Sequence, residues 1–175
     1  LRRKIPVVVI STGGKLLKMA RENSIPYIKL PDTGIQPRMA AGLGFVAFLK
    51  IFGEEKALAE SAKLAHSLKP LKLENKGKNL AKKLKGFVPI IYSSRINSAI
   101  AYNWKIKFNE TGKIPAFYNI LPELNHNEMT GFDVKRKTQN LSKGFYFIFL
   151  RDAEDHHRIL KRMSVLKRLY NDRGL

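Results

Sequence analysis

Apolar residues along the chain fall in short blocks separated by polar turns, and the spacing within each block predicts its element. A continuous β-branched run over 5–11 ends in Ser11-Thr12-Gly13-Gly14 and predicts a buried strand, followed by helical composition over 15–23. A short strand is expected over 26–30, then a Pro31-Asp32-Thr33-Gly34 turn, then a long apolar helix over 37–52 with Pro37 at its start. These elements form a first lobe over 1–53. A more polar helix from 54 to about 69 and a Lys-, Asn- and Gly-bearing connector over 69–78, broken by Pro70, occupy 54–78 and separate it from a second lobe over 79–175.

In the second lobe the pattern predicts helix over 79–85, strand over 87–92, helix over 94–110, strand over 115–120, a short helix over 122–129, strand over 145–150 and a basic helix over 153–170. Ile96, Ile100, Trp104 and Phe108 recur every fourth residue, the spacing of an apolar stripe packed into a core. Strands alternating with helices predict an α/β fold, a parallel sheet covered on both faces.

Composition adds boundaries to this picture. A chain of 175 residues is long enough for a real core, since a domain near this size buries about 70% of its unfolded surface. Apolar residues make up 44% and no run reaches the length of a bilayer span, so no membrane partner is expected. Without cysteine, and with four histidines not spaced as a zinc motif, neither a metal nor a disulfide framework is expected. The start, Leu1-Arg2-Arg3-Lys4 running at once into Pro6 and a short β-branched segment, does not read as a secretory signal and points to a piece of a longer protein.

The net charge of +19, from 33 basic and 14 acidic residues, attracts polyanions and phosphorylated small molecules alike. Nucleic-acid binding is the first reading of that number. The seven lysines between Lys69 and Lys85, however, lack interleaved aromatics for base stacking, so a solvated basic surface is the plainer reading and no specific nucleic-acid partner is expected.

Candidate chemistry comes from two places. Glu110 closes the helix over 94–110, where the negative pole of the helix dipole disfavours the ionised carboxylate, a tendency that suits a general base for carbon acids. The same residue could simply pair with Lys107 or Lys113. His126 lies sixteen positions on, among Pro122-Glu123-Leu124-Asn125-His126-Asn127-Glu128 and directly after a predicted strand. Ligands in open α/β sheets gather at the carboxyl ends of strands, and both Glu110 and His126 are expected at such ends. Ser93 and Ser94 are suited to cap the following helix or to contact a ligand, and Thr12-Gly13-Gly14 reads either as a phosphate cradle or as a tight turn. His66, His156 and His157 are expected on solvated helix surfaces.

Ser93-Ser94-Arg95, Tyr102-Asn103-Trp104-Lys105, Asn109-Glu110, Leu121-Pro122-Glu123 and Asn125-His126-Asn127-Glu128 together resemble the signature of the bifunctional phosphoglucose/phosphomannose isomerase family. Phe149-Leu150-Arg151-Asp152, Glu154-Asp155-His156 and, in the first lobe, Ser11-Thr12-Gly13-Gly14 and Pro37-Arg38 extend the resemblance over nearly the whole chain. It implies a parallel-sheet, three-layer sugar isomerase (SIS) fold, with the end of one SIS lobe and most of a second.

The resemblance further implies a cytoplasmic homodimer that interconverts glucose 6-phosphate or mannose 6-phosphate with fructose 6-phosphate through a cis-enediol, with no cofactor. In it Glu110 shuttles the proton, His126 reaches across from the neighbouring subunit to assist ring opening, and Arg38 stabilises the enediolate. Ser93, Ser94, Arg95, Thr12 and Gly13 are the expected substrate contacts. The chain departs from the family pattern where a Ser/Thr phosphate loop should precede Leu1, where a catalytic lysine should follow Leu175, and in having His156-His157 in place of His-Pro. A non-catalytic SIS module that senses sugar phosphates is the alternative.

Overall fold

The computed structural model describes residues 5–133 and 137–175; the basic start Leu1-Arg2-Arg3-Lys4 lies outside the described residues. The chain divides into two compact units, Leu1–Leu71 and Lys72–Leu175.

In the first unit β1 (Val9–Ser11) and β2 (Tyr27–Lys29) pair in parallel, Val9 opposite Tyr27, and α1 (Gly14–Glu22) supplies the crossover that parallel pairing requires. Leu17 and Ala20 of α1 are buried, as is Val9 of β1. The strand expected over 5–11 is shorter, because β2 offers partners only from Tyr27 to Lys29; Val7 and Val8 remain exposed. The apolar segment expected as one helix is a 3-10 turn (Pro37–Met39) followed by α2 (Ala41–Ile51), on which α3 (Glu55–Ser67) packs.

The segment over 69–78, expected as a connector, is helical: it belongs to α4 (Pro70–Leu84). Proline in a first helical turn sacrifices a donor that has no partner there, so Pro70 starts this helix rather than breaking it. The Leu and Lys residues behind it are good helix formers, and Lys78 pairs with Glu74 one turn away at 2.6 Å.

The second unit carries β3 (Val88–Ser93), α5 (Ser98–Glu110), β4 (Phe117–Ile120), α6 (Glu128–Gly131), α7 (Gln139–Ser142), β5 (Phe145–Phe149) and α8 (His157–Asp172). Its sheet has the order β4-β3-β5, with both pairings parallel. Pro89 sits inside the central strand, an unusual place for a residue without a donor. Val88 N bonds Gly144 O ahead of β5, so the next position along the strand faces β4, where pairing begins only at Ile90 opposite Phe117. No ladder bond is lost.

Alternation along β3 sends neighbouring side chains to opposite faces. Ile90 and Tyr92 pack with Leu121, Leu124 and, from α8, Met163, Leu166 and Tyr170; Ile91 packs with Ala101 and Ala116, flanked by Trp104 and Phe108. The unit is therefore helix, sheet, helix, the α/β layering expected. The stripe predicted on α5 is displaced: Ala101, Trp104 and Phe108 face the sheet, while Ile96, which precedes the helix, and Ile100 are 78% and 52% exposed. No helix among the described residues is long and apolar enough to cross a membrane.

Candidate functional site

The carboxyl edge of the second sheet gathers Ser93, Ser94, Arg95 and His126. Ser93 ends β3 and is fully buried, its Oγ donating to Ser94 O at 3.0 Å. Ser94, also buried, accepts from Asn97 N at 3.3 Å and from Asn97 Nδ2 at 3.4 Å. Neither serine caps α5. The N-cap position belongs to Asn97, whose side chain makes no cap bond and instead donates to Asp152 Oδ2 at 3.1 Å and reaches Asp155 Oδ1 at 3.5 Å.

Asp155 in turn accepts from Asp152 N at 3.1 Å, so the loops after β3 and β5 are joined by one polar network. The Glu154 backbone N–H, and after it the Asn97 amide, hold the Asp152 carboxyl below the usual carboxylate range. Arg95 lies exposed beside this network. The helix expected from 153 starts only at His157, with His156 as its N-cap, its Nδ1 accepting from Arg158 N at 3.2 Å.

His126 lies at the same edge, in the segment after β4, which leaves the strand through a cis Leu121-Pro122 bond. The short helix expected over 122–129 is split into a 3-10 turn (Glu123–Asn125) and α6. His126 is exposed at the break, its N–H donating to Glu123 O at 2.9 Å. Leu124, two residues before, is fully buried against α8. Glu128, two residues after, accepts from Tyr92 Oη at 2.5 Å and from Asn119 Nδ2.

Tyr92 Oη lies 3.4 Å from Tyr170 Oη. Burial, reinforced by the hydrogen bond to Glu128 and the contact with Tyr170, pushes the Tyr92 phenol far above its ordinary range. Burial likewise raises Tyr170, to about 12, against the opposing hydrogen bond from Tyr92.

Glu110 is elsewhere. It is the last residue of α5, the crossover between two parallel strands, and such a helix runs back against the strands. Gly112, Ile114 and Pro115, just beyond it, line a cavity with Gly86, Phe87 and Val88 at the start of β3. Glu110 therefore lies at the amino edge of the sheet, exposed, and not at the carboxyl edge where it was expected. The six residues of β3 separate the two edges by roughly 16 Å.

In the first unit Ser11 Oγ donates to Gly13 O at 2.9 Å and accepts from Gly13 N at 3.2 Å, closing the turn between β1 and α1. Gly14 has φ +73°, a conformation that side chains with a Cβ resist. These two features give the glycines a turn-forming role. Thr12 is exposed at this turn, Gly13 is half-buried, and both line a cavity of about 480 Å³ together with Lys18, Arg21 and Lys29. Arg38 is half-buried in the 3-10 turn of the same unit.

Sequence reasoning missed two connected sets, Tyr92 with Asn119 and Glu128, and Asn97 with Asp152 and Asp155. A signal was present: Asn119 and Tyr92 interrupt apolar strands near their carboxyl ends, and buried polar side chains require partners.

Residues 73–175 match the family model described as the bacterial phospho-glucose isomerase C-terminal SIS domain. The chain is 34% identical to a bifunctional phosphoglucose/phosphomannose isomerase of Aquifex aeolicus, over 99% of this chain and 52% of that protein. A protein of the same name from Caldicellulosiruptor bescii is 35% identical over 93% of this chain and 51% of its own length. A D-glucosamine-6-phosphate 4-epimerase of Sulfolobus acidocaldarius is 30% identical over 76% of this chain and 44% of that protein. The chain spans about half the length of the two isomerases. No solved structure gives a significant match. With more than half of its residues under that model, and with the parallel α/β layering it requires, the chain belongs to the bacterial phospho-glucose isomerase C-terminal SIS domain family.

Proposed function

We propose that the protein containing this chain is a cytoplasmic, homodimeric aldose–ketose isomerase that interconverts glucose 6-phosphate or mannose 6-phosphate with fructose 6-phosphate. Support comes from the relatives of that name and from Asn109-Glu110 and Asn125-His126-Asn127-Glu128 standing sixteen residues apart. In the reaction the Glu110 carboxylate removes the proton from C2 of the ring-opened aldose, giving a cis-enediol, and returns it to C1. The hydroxyl proton of C2 passes to O1, so no atom is gained or lost. A positioned carboxylate contributes about 10²- to 10⁴-fold to such a step. His126 assists opening of the sugar ring, and Arg38 has the role of stabilising the charge on the enediolate oxygens. Ser93, Ser94, Arg95, Thr12 and Gly13 are the proposed substrate contacts.

The observation that carries the shared-site reading is the placement of Glu110 and His126 at opposite edges of one sheet. A gap of roughly 16 Å is too long for both to act on adjacent carbons from one chain. Two chains related by a twofold axis remove the conflict, one supplying the glutamate and its partner the histidine.

The test is complementation in the full-length protein. Glu110→Gln and His126→Ala are each expected to isomerise poorly alone; mixed and reassembled, they regain about a quarter of the wild-type activity, because half of the dimers are hybrids carrying one intact site. Absence of recovery with hybrids demonstrably formed overturns the shared site. Equal rates for wild type and Glu110→Gln overturn catalysis by Glu110 in favour of a sugar-phosphate-binding module. The epimerase relative favours a second reading, inversion at C4 of an amino-sugar phosphate, and a 4-epimer as sole product in the same assay would establish it.

A further inference from the structure

The segment that carries His126 is held on both sides. Leu124 is fully buried against α8, and Glu128 is bound by Tyr92 Oη and by Asn119 Nδ2, from the ends of two adjacent strands. Beyond Glu128, Arg173 of the turn after α8 donates from Nη1 to Met129 O at 3.3 Å and to Phe132 O at 3.1 Å, and its Nη2 pairs with Asp133 Oδ1 at 3.0 Å. Between these anchors His126 alone projects into solvent with an imidazole for chemistry.

We infer that Glu128 is a positioning residue for His126: its carboxylate, bound to Tyr92 and Asn119, fixes the backbone that aims the imidazole at substrate. Glu128 is the acidic residue that the buried Tyr92 hydroxyl contacts, and Tyr92 belongs to the central strand, paired with β4 on one side and β5 on the other. An ionised carboxylate accepts from both donors at once, which neither a hydroxyl nor an amide of the same reach does without turning a donor against a donor. The lever arm is short, two residues from Glu128 to His126, so loss of the anchor is felt as a displacement of the ring and not as unfolding of the core, which Leu124 and α8 keep closed.

The inference rests on the proposed role of His126, and two readouts on the full-length protein separate the two. In NMR of the imidazole protons, with His126 assigned by its loss in His126→Ala, both Glu128→Gln and Tyr92→Phe are expected to move the His126 signals and leave those of His156 and His157 in place. Unmoved His126 signals in both variants overturn the positioning role, whatever the enzyme does.

In kinetics with glucose 6-phosphate, Glu128→Gln is expected to lower kcat by about 10- to 100-fold with KM nearly unchanged, the loss that misplacement of a reacting group by about 1 Å brings. Placed in a His126→Ala background the same change costs less than about 2-fold, because the residue acts through the histidine. Equal losses in both backgrounds overturn the inference. A wild-type protein that isomerises nothing overturns the isomerase reading instead, and the His126 signals then decide on the anchor by themselves.

Discussion

Asn97 Nδ2 donates to Asp152 Oδ2 at 3.1 Å, and this bond ties the loop after β3 to the loop after β5 across 55 residues of sequence. With Glu154 N donating to the same carboxylate at 3.0 Å, Asp152 is stabilised in its charged form and its folded value lies below the ordinary 3.8. A carboxyl depressed on folding contributes stability above its unfolded value and loses that contribution as pH falls through 3.8 toward the folded value. Asp152→Asn is therefore expected to be less stable than wild type at neutral pH, with the gap closing as the pH drops below 3.8. Urea unfolding of both proteins across that range measures it.

Alkali acts on the buried phenols. Tyr92 and Tyr170 are held protonated mainly by burial, Tyr170 up to about 12 and Tyr92 higher still, while in the unfolded chain each releases its proton near 10. The stability they contribute is whole below pH 10 and is lost as pH rises above it, through about 12 for Tyr170. Phenolate absorbance is expected to show neither tyrosine ionising before the fold opens, so Tyr92→Phe and Tyr170→Phe should leave the absorbance gained before unfolding unchanged.

Leu124→Ala tests the apolar half of the anchor beneath His126. Leu124 is fully buried in the cluster with Met163, Leu166 and Tyr170, and truncation there is expected to cost about 2–5 kcal/mol. A cost under about 1 kcal/mol in denaturant unfolding would mean that the segment rests on its polar contacts alone.

Gly112→Ala addresses the end of α5. A Cβ at this position would stand 2.8 Å from the Phe108 carbonyl oxygen, an atom of the helix backbone that cannot swing aside. Overpacking of this kind costs about 1–3 kcal/mol, and because Glu110 lies within that last turn, a fall in kcat beyond the loss of stability is the expected accompaniment. Thermal unfolding and steady-state rates of the one variant read both effects.

Much of the fold was legible because its elements are locally consistent. The short β-branched runs around Val9 and Val88, the glycine turn after Ser11 and the apolar spacing of three and four along α8 each carry local signals that favour one element type. Legibility failed where local composition pointed both ways. Pro70 and the lysines behind it read as a linker because proline, glycine and charge are common in linkers, yet the same residues make a helix once proline occupies its first turn. Ser94 reads as a cap on any local rule; it lost that place to Asn97, which is held by Asp152 and Asp155 from a distant loop.

Local sequence specified the alternation of strands and helices, the α/β class and the chemical types available at Glu110, His126 and Arg38, since periodicity, turn residues and motif spacing are properties of neighbours along the chain. Which edge of the sheet each group occupies, and which polar residues hold one another, follows only from the pairing of strands distant in sequence. A crossover helix must return to the amino edge before the next parallel strand can begin, so Glu110 and His126 separate within one chain despite their closeness in sequence. Likewise Tyr92, Asn119 and Glu128 become partners only when the sheet sets β3 beside β4 and folds the following segment back over both.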